Sequence, residues 1–109
     1  MSRITVNDAV AKSAKGEITV IDVREANELQ ASGTAAGALH IPLATLAMKA
    51  DPKHPDFEPK LAQGKPVAVY CAVGGRAGMA TQVLSRFGHE AHNIGGFSDW
   101  VRAGGPVKR

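Results

Sequence analysis

Apolar positions along the chain fall into two nearly unbroken blocks, with shorter segments of helical or mixed spacing between them. The blocks are residues 18–23 (Ile-Thr-Val-Ile-Asp-Val) and 66–70 (Pro-Val-Ala-Val-Tyr). Runs of this length and composition predict strands covered on both faces, as in a parallel sheet between helices. Residues 37–41 predict a brief strand closed by Pro42, and residues 90–94 a last one. Helix signals fill the intervals. Thr5 caps a helix starting at Val6, with Asp8 in its first turn and a stop at Lys15-Gly16. Residues 25–31 predict a short helix ending near Ser32-Gly33, and residues 43–50 another. Residues 76–87 predict a fourth, with Gly88 placed at its C′ position, and residues 97–102 a closing one. Gly95-Gly96 predicts a turn, and residues 51–59, with three prolines, a surface excursion.

Strand alternating with helix predicts an α/β fold: three layers, α/β/α, around a central parallel sheet of about four to five strands. No repeat, low-complexity tract or linker interrupts the sequence, so residues 1–109 are expected to form a single domain. Ligands of such sheets collect beyond the carboxyl ends of the strands. The second block delivers Cys71, the sole cysteine, to that end.

A free cysteine is commonly a small core residue. Here it is followed by Ala72-Val73-Gly74-Gly75-Arg76 and then by a helix. The glycines permit a tight turn whose N–H groups form an anion-binding nest, and the helix adds its positive end. Arg76 supplies a permanent charge. Helix N-termini and nearby cations favour the thiolate, the nucleophilic form of cysteine. Four residues separate Cys71 from Arg76. Cysteine phosphatases wrap a tetrahedral phosphoryl group with a loop one residue longer; the shorter ring suits a single sulfur atom better, and favours sulfur transfer over phosphate chemistry.

Charge alters this picture little. The net charge is +3 and the pI about 9.3, but the basic residues are scattered and only one Trp and one Tyr could stack on bases. No nucleic-acid partner is expected, and the mildly cationic surface suits a small anionic substrate. No run is long and apolar enough to suggest a membrane span, and no leader pattern is visible. With a single unpaired cysteine, the expectation is a cytoplasmic protein.

Four segments together resemble the rhodanese-like family of single-domain sulfurtransferases. They are Ile21-Asp22-Val23-Arg24-Glu25, Gly37-Ala38-Leu39-His40-Ile41-Pro42, Val69 through Arg76 around the cysteine, and Gly95-Gly96-Phe97-Ser98-Asp99-Trp100. The resemblance covers nearly the whole chain. It implies a thiosulfate sulfurtransferase that carries a persulfide on catalytic Cys71, with Ala72, Val73, Gly74, Gly75, Arg76 and Ala77 binding substrate. The partners implied are a small anionic sulfur donor, a thiol or cyanide acceptor, and a sulfur-accepting protein; no cofactor is implied. The position after Arg76, often serine in the family, is Ala77 here, which removes a hydroxyl donor. Ala72 and Val73 replace polar residues that some relatives carry. Two other readings remain beside this one: a non-enzymatic sulfur-carrier or protein-interaction module, and a cysteine phosphatase or arsenate reductase.

The remaining polar residues read mainly as structural. Asp22 and Arg24 end the first strand and are expected to organise nearby loops through ion pairing and hydrogen bonds. His89 and His92 flank a strand with odd spacing, which sends them to opposite faces. His40 is the best-placed histidine to partner Cys71, though packing is the simpler role. Phe97 and Trp100 are expected in the core beneath the last helix. No metal site is implied.

Overall fold

The structure, a computed structural model, describes residues 3–109. Four parallel strands form the central sheet: β1 (Thr19–Asp22), β3 (Leu39–His40), β4 (Val67–Cys71) and β5 (Ala91–Gly96). Their order is β3-β1-β4-β5. Two short strands, β2 (Thr34–Ala35) and β6 (Val107–Lys108), pair antiparallel as a separate ribbon. The helices are α1 (Val6–Ala14), α2 (Ala26–Ser32), α3 (Leu46–Ala50), α4 (Gly75–Arg86) and α5 (Phe97–Arg102), with 3₁₀ turns at Leu43–Thr45 and Pro59–Gln63.

Alternation along the strands divides the core into two layers. Ile21, Val67, Val69 and Cys71 pack against Leu46 and Ala50 of α3 and Ala77, Ala80 and Leu84 of α4. Val20, Ala68 and Tyr70 face the other way, onto Ala9 of α1 and Trp100 of α5. All five residues of β4 are buried, which is why its sequence is apolar throughout rather than alternating. The expected α/β/α architecture with a parallel sheet is therefore present, with four strands.

Several boundaries differ from the expectations, each for a local reason. Residues 43–50 are not one helix: a 3₁₀ turn, closed by Thr45 N–H and Oγ1 donating to the Pro42 carbonyl, leads into α3. The strand expected at 37–41 is only two residues long, because the turn in which Ala38 N–H donates to the Ala35 carbonyl occupies its start. Gly95 and Gly96 are not a free turn; they finish β5. The register passes from Val69↔Asn93 to Cys71↔Gly96, so β5 holds one extra residue there, a β-bulge beside the cysteine. The β2–β6 ribbon has no apolar signature and was not expected.

One buried polar cluster ties these elements together. The Asp22 carboxylate is fully buried and accepts from the Arg24 guanidinium at 2.8 Å, the Tyr70 hydroxyl at 2.6 Å, the Thr34 hydroxyl at 2.9 Å and the Arg24 backbone N–H at 2.9 Å. Arg24 also donates to the Ser32 hydroxyl and the Gly33 carbonyl, and its guanidinium lies 4.5 Å from the centre of the Phe97 ring. Burial alone would raise the Asp22 pKa; the hydrogen bonds from Arg24, Tyr70 and Thr34 outweigh it and hold the carboxyl below its ordinary value. Burial pushes the Tyr70 hydroxyl up to about 12, so it keeps the proton it donates.

Because the folded-state pKa of Asp22 is depressed, its contribution to stability is present above the unfolded carboxyl value of about 3.9 and is lost as pH falls through the folded value. Asp22→Asn leaves Arg24 buried without its counter-charge and should cost about 3–5 kcal/mol near neutral pH. Urea unfolding at about pH 7 and about pH 3 checks this: the gap between wild type and variant should narrow in acid. A gap that stays constant would contradict the ionised role of Asp22.

Candidate active site

The site begins where β4 runs out. Cys71 is the last residue of that strand, its side chain fully buried against the α4 side of the sheet. The chain then reverses through Ala72, Val73 and Gly74 and enters α4 at Gly75. Gly74 makes the reversal possible: as N-cap it adopts φ +99°, a left-handed conformation that a side chain would strain. Gly75 needs no such freedom, having an ordinary φ and open space where a Cβ would project.

The turn wraps the sulfur in backbone donors. The Gly74 N–H reaches Sγ at 2.9 Å and the Ala77 N–H at 3.4 Å. Among the described residues, the amides of Gly75 and Arg76 have no acceptor, as expected at the first positions of a helix. The sulfur thus sits at the positive end of α4 with two amide contacts made and two further donors beside it. Val73 projects into solvent at 91% exposure and does not cover the sulfur with its side chain.

The loop is braced from β5. Asn93 Nδ2 donates to the Gly74 carbonyl at 3.0 Å, while its Oδ1 accepts from the Gly95 N–H at 2.9 Å. Gly96 lies directly under the loop, and a Cβ there would collide with the Ala72 carbonyl. The Gly-Gly pair therefore marks the floor on which the cysteine loop rests, as well as passing β5 directly into α5.

Arg76 takes an unexpected position. Its guanidinium is held by Glu28 of α2 in a two-pronged ion pair, Nη1 to Oε1 at 2.6 Å and Nη2 to Oε2 at 2.9 Å. Glu28 Oε1 also accepts the Glu25 backbone N–H at 2.9 Å, which fixes the carboxylate at the start of α2. The hydrogen bonds from Arg76 lower the Glu28 pKa to about 2, and the pairing in turn raises that of Arg76. The permanent charge that Arg76 supplies is thus already matched by a carboxylate.

Comparison with known proteins bears on this geometry directly. The rhodanese-like domain family matches residues 5–103. The chain belongs to the rhodanese-like family. It is 34% identical over 106 residues to the uncharacterized protein YqhL of Bacillus subtilis (strain 168), covering 95% of this chain and 75% of that one. Its fold is similar to that of the human single-domain sulfurtransferase TSTD1, with 28% identity, a TM-score of 0.73, and 94% of this chain and 96% of that chain covered. It is also similar to a protein of unknown function from Rhodopseudomonas palustris CGA009, described as a possible tyrosine phosphatase, with 29% identity, a TM-score of 0.86, and 99% and 85% coverage. Membership in the rhodanese-like family, with TSTD1 among its structural neighbours, supports a role in sulfur transfer.

Within this rhodanese-like domain the residues singled out from the sequence divide clearly. Cys71, Ala72, Val73, Gly74, Gly75, Arg76 and Ala77 form one continuous loop and helix start. Asp22 and Arg24 lie outside it, in the buried cluster with Tyr70 and Thr34. His40 does not partner the sulfur; its Nε2 meets the Arg24 carbonyl at 2.7 Å. His89 contacts the Ala50 carbonyl and stacks on Phe57, while His92 meets Glu90 and the Ile4 N–H on the other side. Among the described residues no cluster of metal-ligating side chains occurs, and no helix is long and apolar enough to cross a membrane. Sequence reasoning missed Glu28 and Asn93. The Glu25-x-x-Glu28 spacing is a helix-start signal that could have flagged the first; Asn93 carries no local signal.

Replacing Gly96 by alanine should displace the Ala72 carbonyl and lower thermal stability by at least about 1 kcal/mol, or about 4–8 °C for a domain of this size. Gly75→Ala should leave the melting temperature within about 2 °C of wild type, since nothing occupies the added methyl's place. Thermal unfolding of both variants, followed by circular dichroism, checks the pair.

Proposed function

We propose that the protein is a sulfurtransferase that takes sulfane sulfur from a donor such as thiosulfate, holds it as a persulfide on Cys71, and passes it to a thiol, to cyanide or to a sulfur-accepting protein. The observation that carries this reading is the amide cradle around Sγ, with Gly74 and Ala77 N–H groups on the sulfur and the Gly75 and Arg76 amides open beside it. Such donors stabilise negative charge on the attacking sulfur, on the departing group and on the terminal sulfur of the persulfide. With thiosulfate, the Cys71 thiolate attacks the outer sulfur, the sulfur–sulfur bond to the sulfonate breaks, and sulfite leaves with the electron pair. The acceptor thiolate then attacks the terminal sulfur and restores the Cys71 thiolate. No oxidant or cofactor enters either step. A free thiol as the reacting group suits a reducing compartment such as the cytoplasm.

A phosphatase reading draws on the likeness to the Rhodopseudomonas palustris protein described as a possible tyrosine phosphatase. Against it stands the four-residue interval between Cys71 and Arg76, together with the capture of Arg76 by Glu28, which leaves the guanidinium less free to grip a phosphoryl group. A carrier or interaction module would share the loading step but not the turnover.

Incubating the protein with thiosulfate, or with an alkyl persulfide, and weighing it intact should show one added sulfur atom that cyanide removes. Cys71→Ser should show none. Release of phosphate from an aryl phosphate without any sulfur adduct would favour the phosphatase instead. Repeated turnover with excess donor and acceptor, rather than one stoichiometric loading, separates an enzyme from a carrier.

A further inference from the structure

We infer that Glu28 sets donor choice at this site, turning it away from donors that release a dianion and toward persulfides that release a singly charged thiolate. This rests on the sulfur-transfer reading of Cys71 and refines it.

The argument starts from what surrounds Arg76. The guanidinium is the cationic side chain of the cysteine loop, and both of its terminal nitrogens are held by the two oxygens of one carboxylate. The pair is only about one-third exposed, 32% for Arg76 and 28% for Glu28, so solvent does not fully screen it. Glu28 has little freedom to swing away. It belongs to the first turn of α2, its Oε1 is held additionally by the Glu25 N–H, and α2 is anchored at its other end by Arg24 donating to Ser32 and Gly33. A departing sulfite dianion would have to share Arg76 with Glu28 and accept repulsion from its carboxylate. The amide cradle carries no such bias, since its N–H groups favour negative charge on any departing group alike.

A persulfide with a neutral organic part meets no opposition. The Cys71 thiolate attacks the terminal sulfur of RS–SH, the sulfur–sulfur bond breaks, RS⁻ leaves with the electron pair and takes a proton from water, and Cys71–S–SH remains. The leaving thiolate bears a single charge at the amide cradle and asks nothing further of Arg76. Glu28 acts through Arg76 and is a positioning residue, not a catalytic one.

The test compares thiosulfate with 2-hydroxyethyl persulfide in wild type, Glu28→Gln, Arg76→Ala and the double variant. Glutamine at this helix position still accepts the Glu25 N–H, so α2 keeps its start while the ion pair is lost. Glu28→Gln should raise the ratio of kcat/KM for thiosulfate to that for the persulfide about fivefold, through a lower KM for thiosulfate, the size expected of a partly exposed ion pair. Adding Arg76→Ala should erase the gain. A ratio unchanged in Glu28→Gln, while both donors still load sulfur on Cys71 by mass, overturns this inference and leaves the sulfur-transfer reading standing. Failure of every donor to load sulfur on the wild-type protein overturns both.

Discussion

The bonding of Asp22 to Arg24 and Tyr70 is the constraint on which the site depends. A carboxylate without solvent contact is tolerable only when fully paired, and here its donors come from three residues, Arg24, Thr34 and Tyr70, in three parts of the frame. Arg24 fixes the exit from β1 and, through Ser32 and Gly33, the end of α2. Tyr70 fixes β4 one residue before Cys71. Thr34 and the Ala35 N–H, which donates to the Tyr70 hydroxyl at 2.9 Å, tie in the β2–β6 ribbon. The cluster thereby holds both walls of the site: the strand end that carries the nucleophile and the helix that carries Glu28. Neither Asp22 nor Arg24 hydrogen-bonds the sulfur, yet together they tie the strand end that carries Cys71 to the helix that carries Glu28.

Around the cysteine the protein relies on backbone more than on side chains. Ala72, Val73 and Ala77 offer no polar group, and the guanidinium that follows is already matched by a carboxylate. What remains is a turn permitted by Gly74, a helix start, and a floor in which the β5 bulge, Asn93 and Gly96 bring the neighbouring strand against the loop. Such a cradle responds to charge on sulfur whatever the rest of the donor is. Specificity is then left to whatever lies beyond the cradle, and Glu28 is the charged group that stands there.

Much of this was legible in the sequence because it is written in apolar continuity and in glycine. Buried strands β1 and β4 announce themselves by nearly continuous apolar runs, and α1 by a Thr5–Asp8 start that forms as expected, with Asp8 N–H donating to Thr5 Oγ1 and Thr5 N–H to Asp8. The cysteine loop was legible as a unit because strand, glycines and helix must be adjacent in sequence to build it. The pairing of Arg76 with Glu28 was not, since it joins residues 48 positions apart whose proximity is decided by the Asp22 cluster. The role of Gly95-Gly96 was misjudged for a related reason. Two glycines look alike whether they turn a chain or let another backbone approach, and only the position of the Ala72 carbonyl distinguishes the cases. The short β2–β6 ribbon has too few residues to leave a periodic trace.

The central claim is that the amide cradle, rather than a charged side chain, holds the transferred sulfur. Amide resonances of the protein recorded by ¹⁵N–¹H NMR before sulfur loading, after it, and after cyanide treatment test this most directly. Loading should move the Gly74, Gly75, Arg76 and Ala77 amides most, with cyanide returning them to their starting positions. Loaded sulfur confirmed by mass, with those four amides unmoved and the Arg76 guanidinium resonance shifted instead, would contradict the account.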